Sequence, residues 1–240
     1  MKAVILAGGK GTRLAPYTAI LPKPLMPMGD IPILEVVLRQ LKHHGVTHVD
    51  IAVGHMAELI QLLLGNGQKI GLDIAYSIED TPLGTAGPLT LIDGLGDGTF
   101  LVMNGDILTT LDYGDLVRHH KASGAAATIA MYTRTVKIDF GVLETDGHGR
   151  LKDIIEKPTK EYSVSMGIYV FDPRVLKFLK HNERKDFPDL VKELLAAGEH
   201  VGVYPFAGYW LDIGRPDDFV RAVEEFEARR EEFLPSEPKQ

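Results

Sequence analysis

The 240-residue sequence contains no cysteine. This absence excludes disulfide frameworks, thiol nucleophiles and cysteine-based metal clusters, and a chain of this length can bury a core without disulfides. Long apolar runs are missing as well. The first run, residues 3–7, stops at Gly8, which is too early for a signal peptide, and no run approaches the ~20 residues of a membrane helix. We therefore predict a cytoplasmic protein without a membrane partner.

An excess of positive charge is missing too. The chain carries 26 Lys and Arg residues against 33 Asp and Glu residues, for a net charge of −7. Nucleic-acid binders usually present a basic face, so we expect no nucleic-acid partner. A small anionic substrate remains compatible with this charge, because a few local cations and backbone N–H groups can hold phosphates inside an acidic protein.

What the sequence does contain is an alternation of strand-like and helix-like segments over its first half. Asp30 is the expected N-cap of the first helix, with a proline in its first turn and Gly45 after its end. A parallel sheet with helices on both faces follows from this rhythm. Strands are predicted at residues 3–7, 49–53, 72–77 and 99–103, and helices at 31–44, 57–64, 86–95 and 112–122.

The rhythm changes after Gly124, where strand-like segments separated by turns predominate. Neither a linker nor an internal repeat is visible, so we predict one α/β domain over residues 1–240. Its sheet should be mixed but mostly parallel. Strands are predicted at residues 125–132, 142–144, 151–156, 163–171 and 201–204, helices at 173–180, 187–197 and 216–231, and a frayed end at 234–240.

A glycine-rich loop, Gly8-Gly9-Lys10-Gly11-Thr12-Arg13, follows the first predicted strand. Glycines in this position let backbone N–H groups approach a phosphate closely. Two common templates fail, since the dinucleotide fingerprint needs glycine where Leu14 stands, and the P-loop needs Lys-Ser/Thr where Thr12-Arg13 stand. A loop with Arg13, followed by Lys23 between two prolines, still suits a polyphosphate.

The segment from Leu6 to Leu14, together with Pro22-Lys23-Pro24, resembles the signature of the sugar-1-phosphate nucleotidyltransferases. The resemblance extends over nearly the whole chain. It implies an enzyme with a Rossmann-like fold that binds a nucleoside triphosphate mainly through residues 1–124 and a sugar 1-phosphate mainly through residues 125–232. The nucleotide-binding residues that it implies are Leu6, Ala7, Gly8, Gly9, Gly11, Thr12, Arg13, Glu79, Gly84 and Thr85.

Two aspartates follow apolar segments that are far apart in the sequence. Asp106 comes after residues 100–103, and Asp212 ends the segment Gly208-Tyr209-Trp210-Leu211-Asp212. Carboxylates are hard oxygen ligands that suit Mg²⁺, and the end of a parallel strand faces the ligand crevice. The residues alone do not show that the two aspartates meet; the resemblance implies that they bind Mg²⁺ together, and that the catalytic residues are Arg13, Lys23 and Asp106.

A second group of motifs resembles the sugar site of the same family. From the residues alone, Glu156-Lys157 before a proline is more typical of an exposed ion pair than of a binding site. The resemblance implies that Glu156 accepts sugar hydroxyls and that Lys157 binds the sugar phosphate. The segment from Ser165 to Tyr169 also resembles the sugar site, but Ser165 stands where relatives often have asparagine, which argues against the sugar-hydroxyl contact of that asparagine in this chain. The sugar-phosphate-binding residues that the resemblance implies are Asp106, Gly141, Glu156, Lys157 and Gly167.

Residues 79–87 resemble the base-recognition loop of the family. Uridylyl- and thymidylyltransferases often place glutamine near its start, where this chain has Glu79, with Asp80 as an alternative reader. A carboxylate only accepts hydrogen bonds, and guanine offers two adjacent donors. GTP is therefore the favoured nucleotide, with a mannose- or heptose-type sugar 1-phosphate.

Several other functions stay open at this point. They are a non-catalytic regulatory subunit that binds a nucleotide sugar, an enzyme that uses UTP, dTTP or CTP or a phospho-alcohol, and, more distantly, an NAD-dependent dehydrogenase. The presence of both aspartates and of Arg13 and Lys23 favours an enzyme, and Glu156-Lys157 favours a sugar. The histidine pairs at 43–44 and 119–120 are assigned to helix faces, and a homo-oligomer remains open.

Overall fold

We describe residues 1–235 of the protein from a computed structural model. These residues form thirteen strands and six α-helices. The predicted fraying of residues 234–240 falls largely on 236–240, outside the described residues. The strands are β1 (Lys2–Ala7), β2 (Pro27–Met28), β3 (Ile31–Pro32), β4 (His48–Val53), β5 (Asp73–Ile78), β6 (Phe100–Asn104), β7 (Ile107–Thr109), β8 (Ala127–Lys137), β9 (Val142–Thr145), β10 (Leu151–Ile155), β11 (Thr159–Phe171), β12 (Val201–Phe206) and β13 (Trp210–Asp212). The helices are α1 (Ile33–His43), α2 (Ala57–Leu64), α3 (Tyr113–Ser123), α4 (Phe187–Ala196), α5 (Pro216–Ala228) and α6 (Arg230–Phe233).

Seven strands form the central sheet in the order β12-β8-β11-β6-β1-β4-β5. Neighbouring strands run parallel except at β11, which is antiparallel to both β6 and β8. The predicted fold class, a mixed and mostly parallel sheet flanked by helices, is confirmed. β1 lies between two parallel neighbours, and its residues Ala3, Val4 and Ile5 are fully buried because both faces are covered.

Three apolar clusters hold these elements together. Alternate residues of β1 point to opposite faces of the sheet: Ile5 packs with Leu38 of α1 and Ile60 of α2, whereas Val4 packs in a second cluster with Leu190 of α4. The third cluster is smaller and joins the end of the glycine loop to the C-terminal helices. Its fully buried members include Leu14, Met28, Phe226 and Phe233.

The connecting segments differ from the predictions. Asp30 does not cap α1, which begins at Ile33 with Pro32 as its N-cap, because the Asp30 carboxylate pairs with Arg230 at 2.6 Å. The helices predicted at 86–95 and 173–180 are wrong. Those segments contain short 3₁₀ turns, Gly87–Leu91 and Pro173–Phe178, which are typical of connections too short for an α-helix. The short strands β2, β3, β7 and β13 were not predicted.

Beyond the sheet, β8 and β11 continue as a paired ribbon that carries the β9–β10 hairpin. We call residues 133–163 the outer ribbon. Many of its large apolar side chains are exposed to solvent: Val136, Phe140, Leu143, Leu151, Ile154, Ile155 and Tyr162. None of the helices within residues 1–235 has the length and apolar character that a bilayer crossing requires.

Candidate functional site

A cavity of about 810 Å³ opens at the carboxyl ends of β1, β4 and β6. This is the edge of a parallel sheet at which open α/β folds bind ligands. Lys23 and Asp106 line the cavity. So do all the residues predicted to bind nucleotide, namely Leu6, Ala7, Gly8, Gly9, Gly11, Thr12, Arg13, Glu79, Gly84 and Thr85.

The glycine loop packs tightly on the segment that carries Lys23. Gly11 has a left-handed backbone, with φ of 62°, and a Cβ there would lie 3.0 Å from the Thr18 methyl and 3.2 Å from the Lys23 Cβ. The Thr18 hydroxyl donates to the Gly11 carbonyl at 2.9 Å. Only glycine combines this backbone with so little space, so Gly11 allows the loop to lie directly against Lys23.

Strand pairing brings Asp106 and Asp212 together. β7 and β13 form an antiparallel ladder in which Asp212 stands opposite Ile107, and the Ile213 N–H donates to the Asp106 carbonyl at 3.1 Å. The Lys23 ammonium forms an ion pair with Asp106 Oδ2 and lies 3.8 Å from Asp212 Oδ1. The two carboxylates and the lysine therefore form one charged cluster at the cavity.

The electrostatics of this cluster fit a divalent cation. Asp106 Oδ1 is buried and has no hydrogen-bond partner within residues 1–235. Burial raises the pKa of Asp212, and the neighbouring Asp106 raises it further, whereas Lys23 and Arg13 oppose the shift. A bound Mg²⁺ would satisfy the unpartnered oxygen and relieve the repulsion, while retaining water and phosphate ligands. No group of three or more candidate ligands from histidine, aspartate and glutamate occurs among residues 1–235.

Glu79 and Thr85 stand on opposite sides of a turn that borders the cavity. Glu79 Oε2 accepts the Leu83 N–H at 2.8 Å, and a Cβ on Gly8 would lie 2.6 Å from Glu79 Oε1. Burial raises the pKa of Glu79, and the hydrogen bond from Leu83 opposes this shift. The Thr85 hydroxyl accepts the Phe187 N–H at 2.7 Å. Both side chains thus also hold the turn in shape.

The residues predicted for the sugar phosphate do not join the cavity as a set. Gly141, Glu156 and Lys157 lie exposed on the outer ribbon, where a Cβ on Gly141 would come 3.1 Å from Glu156 Oε2. Gly167 lies at the irregular register of β11, and a Cβ there would come 2.6 Å from the Asn104 side chain, which does line the cavity. Asp106, the remaining residue predicted for the sugar phosphate, lines the cavity.

Several residues of the cavity were not predicted from the sequence, among them Gly54, His55 and Asn104. Gly54 and His55 follow β4, and Met56 next to them has a left-handed backbone with φ of 57°. The available signal was that Gly54 comes directly after a predicted apolar strand, as Gly8 comes after the first strand. Asn104 ends β6 two positions before Asp106, but only Asp106 was predicted as a site residue.

Trp210 and Ser165 both contact other residues of the protein. The Trp210 ring lies 5.3 Å from the Tyr132 ring, and its indole N–H donates to the Met166 carbonyl at 3.0 Å. The Ser165 hydroxyl donates to the Tyr169 hydroxyl at 3.0 Å. Both side chains are therefore engaged within the protein.

Residues 2–229 match the family described as nucleotidyl transferase. The chain belongs to the nucleotidyl transferase family. Among solved structures, this nucleotidyl transferase is similar to a Bacillus anthracis protein, provisionally described as a glucose-1-phosphate thymidylyltransferase, in complex with sucrose. The TM-score is 0.76 and the identity 27%, over 100% of this chain and 98% of the other. It is also similar to HddC from Yersinia pseudotuberculosis, with a TM-score of 0.72 and 25% identity, over 94% and 99% of the two chains.

Curated relatives of this nucleotidyl transferase carry names that differ in nucleotide and sugar. The chain is 36% identical to the UTP–glucose-1-phosphate uridylyltransferase of Synechocystis, over 93% of this chain and 62% of the relative. It is 33% identical to the mannose-1-phosphate guanyltransferase of Candida albicans, over 92% and 63%. The corresponding Mycobacterium tuberculosis enzyme is 35% identical, over 91% and 62%. The chain thus spans less than two thirds of the length of these relatives.

Proposed function

We propose that this nucleotidyl transferase transfers a nucleoside monophosphate from a nucleoside triphosphate to a sugar 1-phosphate, giving a nucleotide sugar and pyrophosphate. The observation that carries the proposal is the cluster of Lys23, Asp106 and Asp212 beside the cavity that the glycine loop lines. In this proposal residues 1–124 mainly bind the nucleotide and residues 125–232 mainly the sugar. The proposed location is the cytoplasm. A homo-oligomer is compatible with the proposed function.

The reaction joins an oxygen of the sugar phosphate to the α-phosphorus and breaks the bond to pyrophosphate. No covalent intermediate with the protein is required. Catalysis of this kind depends on bringing two anions together and offsetting their charge in the transition state. We assign Arg13 and Lys23 to the triphosphate, because both line the cavity next to the glycine loop.

Asp106 and Asp212 are the proposed Mg²⁺ ligands. The unpartnered Asp106 oxygen and the mutual repulsion of the carboxylates support this assignment. When bound, Mg²⁺ supplies neutralising charge and Lewis acidity at phosphate oxygens. Asp106 also holds the Lys23 ammonium by its ion pair, so the same side chain orients a cation toward the cavity.

The sugar phosphate is proposed to extend from the cavity toward the outer ribbon. Lys157 would position the attacking phosphate, and Glu156 would accept hydrogen bonds from sugar hydroxyls. Gly141 lies directly beside the Glu156 carboxylate and leaves that side open for a ring. Gly167 supports the same path, because it borders the cavity through Asn104.

GTP is the proposed nucleotide, because the acceptor-only side chain of Glu79 borders the cavity. A mannose- or heptose-type sugar 1-phosphate is the proposed partner. The names of the relatives include both guanylyl and uridylyl transfer, so they support the reaction class more than the base.

One experiment tests the reaction directly. The protein is incubated with Mg²⁺, each nucleoside triphosphate in turn and a panel of sugar 1-phosphates, and pyrophosphate release is measured. We expect the fastest release with GTP and mannose 1-phosphate or a heptose 1-phosphate. Release with UTP or dTTP alone would correct the base while keeping the reaction, and no release with any pair would refute the proposed activity.

A further inference from the structure

The base-facing loop, residues 79–87, is interlocked with the start of α4. The Thr85 N–H donates to Asp186 Oδ1 at 3.0 Å, and the Phe187 N–H donates to the Thr85 hydroxyl at 2.7 Å. Asp186 is the N-cap of α4, yet its side chain accepts no hydrogen bond from its own helix. Thr85 supplies that cap from the other half of the chain, and Asp186 caps the loop in return.

Backbone contacts make the same junction tight. The N–H groups of Ala86 and Gly87 donate to the Lys185 carbonyl at 2.9 and 3.1 Å, and the Lys185 N–H donates to the Leu83 carbonyl at 2.9 Å. Gly84 has a φ of 78°, and a Cβ there would lie 2.6 Å from Asp186 Oδ1. The loop therefore packs directly onto residues 185–187, with no space for a side chain at position 84.

The α4 side of the junction is anchored in the core. Phe187 is 3% exposed, and its ring lies 4.4 Å from the Tyr169 ring and 5.6 Å from the Phe171 ring, both on β11. A displaced loop would therefore have to break hydrogen bonds to a fixed element rather than carry that element with it.

From this geometry we propose that Asp186 is a positioning residue for nucleotide binding: through Thr85 it holds Glu79 and Gly84 at the wall of the cavity. The inference rests on the proposed role of the base-facing loop. It also gives the Thr85 hydroxyl a specific task, which is to lock the loop, while the rest of Thr85 lines the cavity. Asp186 itself need not touch the nucleotide.

The test compares paired substitutions at both ends of the interlock. Asp186→Ala and Thr85→Val each remove a hydrogen-bonding group, whereas Asp186→Asn and Thr85→Ser each retain one. Asp189→Ala is the matched control, because Asp189 lies in the first turn of the same helix and its side chain pairs only loosely with Lys192, at 3.9 Å. The dissociation constant for GTP is measured by calorimetry, alongside kcat, both KM values and the melting temperature.

We expect Asp186→Ala and Thr85→Val to raise the GTP dissociation constant and KM by about tenfold, while kcat and the KM for sugar 1-phosphate change less than about threefold. The two conservative variants should recover most of the affinity, and the control should match the parent. A purely structural role would lower the melting temperature and the active fraction without moving the GTP dissociation constant.

Each outcome bears on one proposal or the other. An unchanged GTP dissociation constant in folded Asp186→Ala, with the parent protein active, overturns the positioning role alone. If the parent binds GTP but releases no pyrophosphate, the transferase proposal fails, while the binding measurements still decide the role of Asp186. A parent protein that binds no nucleoside triphosphate would overturn both.

Discussion

The cavity and the outer ribbon differ in how much protein surrounds them. Cavity residues stand at the ends of strands whose side chains are mostly buried, and Lys23 and Asp106 keep only 12% and 18% of their side chains exposed. On the outer ribbon, Phe140 is 78% exposed and Leu143 is 58% exposed. The buried cavity suits a group that must be held in a fixed position, such as a phosphate under attack. The exposed outer ribbon suits recognition that can adapt to its ligand.

This contrast predicts that the largest effect will come from the charged cluster of the cavity. Lys23→Ala and Asp106→Ala should each lower kcat by about 100- to 1,000-fold, because each removes charge aimed at the reacting phosphates. Steady-state pyrophosphate release measures the effect, and circular dichroism checks the fold. Asp97→Ala, at an exposed aspartate outside the cavity, is the control. Near-normal rates in both folded variants would contradict the assignment, as would full activity in the presence of EDTA.

The loss of stability on truncating an apolar side chain should also differ between the buried core and the outer ribbon. Leu38→Ala removes a fully buried side chain of α1 and should lower the free energy of unfolding by about 2–5 kcal/mol. Leu143→Ala on the outer ribbon should change it by less than about 0.5 kcal/mol. Urea denaturation of the two variants compares them directly. Equal losses would show that the outer ribbon is packed against something in solution.

Lys157→Ala tests whether the outer ribbon takes part in binding. We expect a rise of about tenfold to 100-fold in the KM for sugar 1-phosphate, from the loss of a charge-assisted hydrogen bond, with little change in the KM for the nucleotide. Lys160→Ala, a second exposed lysine of the same ribbon, is the matched control. If both variants raise the KM for sugar 1-phosphate equally, the effect is a general attraction between lysines and the anionic substrate. The outer ribbon would then lack the proposed contact with the phosphate.

The smallest effect concerns pH. Burial raises the pKa of Glu79 above its ordinary value, and the side chain offers both oxygens as acceptors for the two guanine donors only when it is ionised. The KM for GTP should therefore rise a few-fold as pH falls through this raised pKa, at a higher pH than for an exposed glutamate. Glu79→Gln should remove that pH dependence and improve use of UTP relative to GTP. A pH profile that is unchanged in Glu79→Gln would exclude Glu79 as the base reader.

Much of the fold could be predicted because local patterns determine it. The apolar run of β1 reflects burial on two faces and the apolar stripe of α1 burial on one face, and α3 lies within one residue of the predicted helix at 112–122. The 3₁₀ connections and the short ladder of β7 with β13 could not be predicted, since tertiary contacts decide them. The convergence of the two aspartates depends on that ladder, so residue patterns alone left it open.

The wrong N-cap at Asp30 has the same origin. Its partner, Arg230, lies 200 positions away in the sequence, so no local pattern around Asp30 could predict this ion pair. The same long-range closure places Leu14, at the end of the glycine loop, in one buried cluster with Phe226 and Phe233. A protein made from its N-terminus folds its early elements first. The glycine loop nevertheless gains part of its packing, the burial of Leu14 with Phe226 and Phe233, only after these much later residues have been synthesised.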